Sequence, residues 1–182
     1  LALSSLEFAK IKGYKIGLMI CEDLWLESVP KTLGEENPDL FISLNGSPYY
    51  YGHFVNRLRA IQKTTEKFHK TFVYVNQVGT QDELVFDGHS FVIAESRILK
   101  VLKGFREDRQ IFTHGIKHAT IVKVDDYIIS IDKTKFIYKA LTLAVQDFCR
   151  RNGFKSVLIG LSGGMDSALT AMIAVDALGR EN

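Results

Sequence analysis

Apolar residues fall along this chain in two rhythms. Lys15 to Cys21 is a short apolar run, preceded by Gly13 and closed by the charged pair Glu22-Asp23, which predicts a buried strand ending at Cys21. Ser28 and Pro30 followed by Leu33 and Gly34 predict a short capped helix, and Leu40 to Leu44 a second buried strand, giving a βαβ unit. Asn45-Gly46-Ser47-Pro48 is turn chemistry. From His53 to Lys70 the rhythm changes: Phe54, Leu58, Ile61, Thr65 and Phe68 recur at helical spacing between charged residues, as in an amphipathic helix. Phe72 to Asn76 predicts a third strand, then a polar loop through Asp87-Gly88, then a hairpin of Ser90–Ala94 and Ile98–Leu102.

Ile121 to Val124 is one more strand pattern, and Asp125 to Lys135 is charged without a clear period, so a domain boundary is placed there, between 1–126 and 127–182. Beyond it a helix is predicted over Phe136–Asn152, with Ile137, Leu141, Ala144, Val145 and Phe148 on one face and Gly153 as its stop. Ser156–Leu161 reads as a buried strand, Ser162-Gly163-Gly164 as a tight loop, and Asp166–Leu178 as a helix.

Composition narrows the class. With 182 residues, 46% hydrophobic and 24% charged, the chain can build a core. A net charge of +2 is too mild for a nucleic-acid or anionic-membrane footprint, and no run approaches the roughly 18 apolar residues of a membrane span. The two cysteines, Cys21 and Cys149, cannot form a disulfide framework or a four-ligand zinc site, which favours a reducing, cytoplasmic setting. The chain opens on Leu1 and is expected to be a segment of a longer polypeptide.

The sharpest chemical signal is Gly160-Leu161-Ser162-Gly163-Gly164-Met165-Asp166-Ser167 at a strand-to-helix turn. Consecutive glycines let backbone amides approach an anion, the helix start offers unpaired N–H groups, and two serines add donors, so the pattern suits phosphate. No lysine follows the glycines, which excludes the Walker form. Asp166 would repel a bare phosphate and fits a Mg²⁺ shared with phosphates; the alternative is that Ser162 or Asp166 merely caps the helix and the glycines make the turn. Cys21 at a strand end is placed as a nucleophile would be, although a lone cysteine in an apolar strand is more often a packed small hydrophobe.

Ser162 to Ser167 resembles the loop of the ATP pyrophosphatases, which cleave ATP between its α and β phosphates to adenylate a substrate. Ile20-Cys21-Glu22-Asp23-Leu24-Trp25 is similar to the nucleophile strand of the nitrilase superfamily, whose amidases use a Glu, Lys and Cys triad. Asn45 to Pro48, Val78-Gly79 and Asp82 to Ser90 also resemble the glutaminase domain of the glutamine-dependent NAD synthetase family, in which both parts are joined. The resemblance covers nearly the whole chain. It implies an α/β fold: the latter part of a nitrilase-like αββα sandwich, then the first helix, strand, loop and helix of a doubly wound parallel sheet that binds an adenine nucleotide.

That resemblance assigns Cys21 as the nucleophile, the Glu22 amide as an oxyanion donor and Ser47 as a glutamine contact. Where many relatives carry Lys or Arg after a glycine, this chain has His53 after Gly52, so His53 or Arg57 is the expected partner of the glutamine carboxylate. Gly160, Leu161, Ser162, Gly163, Gly164, Met165, Asp166 and Ser167 become the ATP loop, with Asp166 the magnesium ligand. Implied partners are glutamine, deamido-NAD and ATP with Mg²⁺, without nucleic acid or membrane, and a homo-oligomer is expected. The triad Glu and Lys precede the cysteine strand in the family, so these residues alone are expected to be inactive. A different class stays open: a nitrilase-like binding or regulatory module beside an ATP pyrophosphatase acting on another acid. His69, His89, His114 and His118 lack metal-ligand spacing, Cys149 reads as core, and Tyr49-Tyr50-Tyr51 as loop lining the glutamine cleft.

Overall fold

The computed structural model describes residues 8–113 and 122–182. Its centre is a seven-stranded sheet in the order β1-β2-β3-β4-β7-β8-β9. β2 (Tyr14–Ile20), β3 (Leu40–Asn45) and β4 (Thr71–Asn76) run parallel. β1 (Phe8–Ile11), β7 (Phe91–Ala94), β8 (Arg97–Val101) and β9 (Val122–Lys123) extend it with antiparallel pairings. The βαβ unit and the β7–β8 hairpin therefore stand as expected. The last strand is shorter than its pattern, because Val124 already begins a helix, and Ile121 lies outside the described residues.

Alternation sets the two faces of the sheet. The register places Gly17 beside Phe41 and Phe72, and Met19 beside Ser43 and Tyr74, all turned toward the helices. α1 (Ser28–Glu35), α2 (His53–Phe68) and α3 (Val124–Ile129) supply Val29, Leu33, Phe54, Leu58, Ile61 and Val124 to this core. The opposite face carries Ile20, Leu44 and Val75 in one row, each exposed. Of the expected sandwich, the described residues thus hold one sheet and one helical layer.

Four local expectations change. α1 is not capped by Ser28, which is its first helical residue; Glu27 precedes it without a side-chain hydrogen bond. The supposed polar loop before Gly88 is a hairpin of β5 (Val78–Gln81) and β6 (Leu84–Asp87), whose short strands hide their alternation. Asp125 to Lys135 contains most of α3 and the start of α4 (Lys133–Asn152), capped by Asp132 onto the Lys135 amide at 2.9 Å. Ser156–Leu161 forms no strand: Leu158 and Leu161 are exposed, and no strand among the described residues lies alongside to complete a ladder.

α4 ends at Gly153 as its sequence requires, but it packs through another face. Ile137, Leu141 and Phe148 are exposed, whereas Ala140, Leu143 and Asp147 are buried. The Asp147 carboxylate accepts the Thr80 amide at 2.9 Å and pairs with Arg150 at 3.0 Å, which ties α4 to β5. Cys149 is buried, as read. α5 (Met165–Leu178) lies against α4 and buries Ile173, Ala174 and Ala177.

One close approach is set by a glycine. A Cβ on Gly104 would sit 1.9 Å from the His89 ring, which is itself packed against Phe54 (4.7 Å), Phe136 (4.5 Å) and the edge-on Phe105 (5.2 Å). Gly104→Ala is expected to cost about 1–3 kcal/mol, the usual penalty of overpacking a filled site, and to lower the midpoint of thermal unfolding. An unchanged midpoint would mean that the ring stack yields.

Candidate active site

The carboxyl ends of β2, β3 and β4 bring together three chain segments. Cys21 follows Ile20, which pairs with Leu44, while Asn45 pairs with Asn76, so Cys21, Asn45 and Asn76 end neighbouring strands at one level. Cys21 has φ +47°, a left-handed conformation unusual for a side chain with a Cβ, and opens the short 3-10 turn Cys21–Leu24. Asp23 secures that bend by accepting the Ile20 amide at 2.8 Å. The thiol is half-buried and Glu22 is exposed.

Ser47 is buried and held from two sides. Its amide donates to Asn76 Oδ1 at 2.9 Å, and its carbonyl accepts Asn76 Nδ2 at 3.1 Å and Arg57 Nη2 at 2.9 Å. Arg57 also donates to the Pro48 carbonyl at 3.0 Å and to Asp87 Oδ1 at 2.8 Å. The second Asp87 oxygen accepts from His89 Nδ1 at 2.9 Å; since the carboxylate can only accept, that ring nitrogen carries the proton. Burial pushes the Asp87 carboxyl up, but the His89 hydrogen bond and the charge and hydrogen bond of Arg57 outweigh it and hold the group below its usual range.

These contacts change two expectations. Arg57 is not placed to receive a glutamine carboxylate: its side chain is 0% exposed, and its charge is spent on Asp87 and two carbonyls. His53 is not placed as a cation. Burial lowers its pKa below the ordinary histidine value, and the nearby Arg57 charge adds to that, outweighing the Pro48 hydrogen bond and Asp87. Its Nδ1 donates to the Pro48 carbonyl at 2.7 Å, and the ring is stacked against Tyr50 (3.8 Å) and Trp25 (5.5 Å). A neutral imidazole in an aromatic wall is the outcome. Tyr50 and Tyr51 are exposed beside it, whereas Tyr49 turns to Phe105.

Sequence reading missed Asn76, Asp87 and Trp25. Asn76 and Asp87 each end a strand as a polar residue at an inward position, a signal that a stricter alternation count would have flagged. His69 ends α2 in a left-handed conformation, and His89 is buried in the aromatic stack; His114 and His118 lie outside the described residues.

The second candidate element is the loop from Gly160 to Ser167. It is almost wholly exposed, Leu161 and Met165 included. Gly163 has φ +85°, which turns the chain into α5, and Gly164 precedes the helix without a side-chain cap. Ser162 and Ser167 hydroxyls are 3.1 Å apart, and Ser167 donates to the Gly164 carbonyl at 3.0 Å. Asp166 stands in the first turn and makes no side-chain cap, while the Ser162 hydroxyl accepts the Gly164 amide at 3.4 Å. Among the described residues no three His, Cys, Asp or Glu side chains form a metal-holding group.

The buried pair generates a prediction. Asp87→Asn leaves Arg57 without its counter-charge in the core and is expected to cost about 3–5 kcal/mol. The native carboxyl titrates below its unfolded value, so the stability it contributes is present above a pH of about 4 and is lost as pH falls through the depressed folded value. Unfolding free energy against pH should therefore lose part of its acid limb in Asp87→Asn; an identical limb would remove this assignment.

Known proteins resemble this chain in sequence and in fold. The carbon–nitrogen hydrolase family profile matches residues 3–123, and the NAD synthase profile matches residues 137–182. The glutamine-dependent NAD(+) synthetase of Acinetobacter baylyi is 37% identical over 170 residues, 93% of this chain and 31% of that protein. That of Synechocystis is 34% identical over 188 residues, 97% of this chain and 34% of that protein. The structure of glutamine-dependent NAD+ synthetase from Acinetobacter baumannii in complex with ADP superposes with a TM-score of 0.85 at 37% identity, over 97% of this chain and 34% of that one. The chain thus spans about a third of the length of these relatives. By its cysteine-bearing parallel strands and by the profile that covers most of its length, the chain belongs to the carbon–nitrogen hydrolase family, continued by a segment similar to the start of an NAD synthase.

Proposed function

We propose that this chain is part of a glutamine-dependent NAD synthetase, with residues 1–126 from its glutaminase domain and 127–182 from the start of its ATP-dependent domain. The observation that carries the reading is one chain joining two devices: a cysteine held at positive φ on a parallel strand end, and an open, glycine-turned helix start bearing Asp166.

In this reading Cys21 Sγ attacks the carboxamide carbon of glutamine, the Glu22 amide helps hold the oxyanion, and the C–N bond breaks to release ammonia. Water then cleaves the glutamyl thioester to glutamate and restores the thiol. Ser47 contacts the backbone groups of glutamine, and the Trp25–His53–Tyr50 stack forms an apolar wall. The glutamine carboxylate finds its charge partner at neither His53 nor Arg57.

In the second domain the carboxylate of deamido-NAD attacks the α phosphorus of ATP, pyrophosphate leaves, and ammonia displaces AMP to form the amide. The amides and hydroxyls from Gly160 to Ser167 cradle phosphate oxygens. Magnesium bound there would neutralise phosphate charge, and a single carboxylate with exposed hydroxyls suits a cation that keeps several waters. Asp166 would be its protein ligand. No described helix is long and apolar enough to cross a membrane, and small-molecule substrates with a reduced thiol suit the cytoplasm.

Two substitutions in the complete polypeptide separate the halves. Cys21→Ala is expected to abolish glutamine-driven NAD formation while leaving formation from ammonium salts intact; equal loss of both would overturn the nucleophile assignment. Asp166→Asn keeps the shape and removes the charge, so adenylation is expected to fall at least tenfold with either nitrogen source while glutamine hydrolysis holds. Unchanged adenylation would reduce Asp166 to a surface residue of α5.

A further inference from the structure

Among the described residues, two buried side-chain polar atoms lack a hydrogen-bond partner, Arg57 Nε and Tyr74 Oη. They belong to one cluster, for the guanidinium of Arg57 lies over the Tyr74 ring at 5.9 Å. A donor left unpaired in a core is costly, so a phenol where phenylalanine would fit needs a reason.

The register supplies one. Tyr74 and Asn76 are two residues apart on β4 and point to the same face, toward the loop after β3. Asn76 grips the main chain of Ser47 with two hydrogen bonds, and Arg57 grips its carbonyl with a third. The Tyr74 ring is 1% exposed and stacked on Phe91 at 4.9 Å, which fixes the direction of its hydroxyl. The Ser47 side chain is the group that acts on that hydroxyl as a hydrogen-bond partner, although the two do not meet in full hydrogen-bond geometry. Burial pushes the phenol up to about 12, so it remains a neutral donor at any working pH.

We propose that Tyr74 is a positioning residue for substrate binding: its hydroxyl donates to the Ser47 side chain when the amide substrate arrives, leaving the Ser47 proton free to point at the substrate's polar backbone groups. Main-chain grips from Asn76 and Arg57 fix where Ser47 is, and only Tyr74 is left to decide which way its hydroxyl turns. This inference rests on the reading of Cys21 and Ser47 as a glutamine-hydrolysing site.

The test is Tyr74→Phe in the complete polypeptide, which deletes one oxygen. Because that oxygen meets no partner in full hydrogen-bond geometry among the described residues, the thermal midpoint should stay or rise. The KM for glutamine should rise about tenfold with kcat changed less than twofold, while ammonium-driven synthesis is unaltered. Ser47→Ala should raise KM similarly, and Tyr74→Phe combined with Ser47→Ala should be no worse than Ser47→Ala alone, since the first acts through the second. A wild-type KM in Tyr74→Phe, additive losses in the double variant, or a marked fall in thermal midpoint would each overturn the inference. Cys21→Ala separates the two failures: if it abolishes glutamine-driven synthesis while Tyr74→Phe is silent, only this inference falls. Should Cys21→Ala retain that activity, the site reading falls and takes this inference with it.

Discussion

The buried ion pair of Arg57 and Asp87 is the constraint on which the site depends. Both side chains are fully excluded from water, and desolvating two charges costs several kcal/mol each unless geometry returns it. Here the return comes from distribution. Asp87 uses one oxygen for Arg57 and the other for His89, and Arg57 spends its remaining reach on the carbonyls of Ser47 and Pro48. Three segments distant in sequence are thereby fixed by one charge: a helix, the end of a hairpin and the loop after a parallel strand. Removing either partner leaves a charge that the core cannot solvate, so the loop position is enforced by electrostatics and not by loop packing alone.

That pairing also decides the character of the cleft. A cation which sequence spacing offers to a ligand is turned inward, and the imidazole one helical turn earlier is kept neutral by burial and by the same guanidinium. Nearby surfaces are then aromatic, with His53 between Trp25 and Tyr50. Stacked rings contribute surface there without contributing net charge.

Much of this was legible in the sequence, for reasons that can be named. The parallel strands appear as unbroken apolar runs because both faces of such strands carry apolar residues, and α2 appears because one face meets solvent. Cys21 was legible as a strand end, since Glu22-Asp23 closes the run. The β5–β6 hairpin was not, because four-residue strands around Asp82-Glu83 give alternation too little length to register. The face of α4 was misread for a different reason: most of its larger apolar residues define one stripe, yet the contact is made by Ala140, Leu143 and Asp147, the last of which has its partner far off in sequence. Arg57 was ambiguous in the same way, for nothing local distinguishes a cation destined for a ligand from one destined for Asp87. Burial of charge is a property of the fold.

The bond between Asp147 and the Thr80 amide joins residues 67 positions apart, across the expected boundary between two functional units. Protein synthesis is vectorial, so the hairpin that carries Thr80 is made well before the helix that carries Asp147. When α4 emerges, the hairpin that anchors it has already been made. Closing a long loop onto a preformed surface costs only logarithmically in its length, while the helix gains a tertiary contact that short isolated helices lack. The order of assembly is thereby built into the chain: the earlier unit serves as the template on which the later one begins to fold.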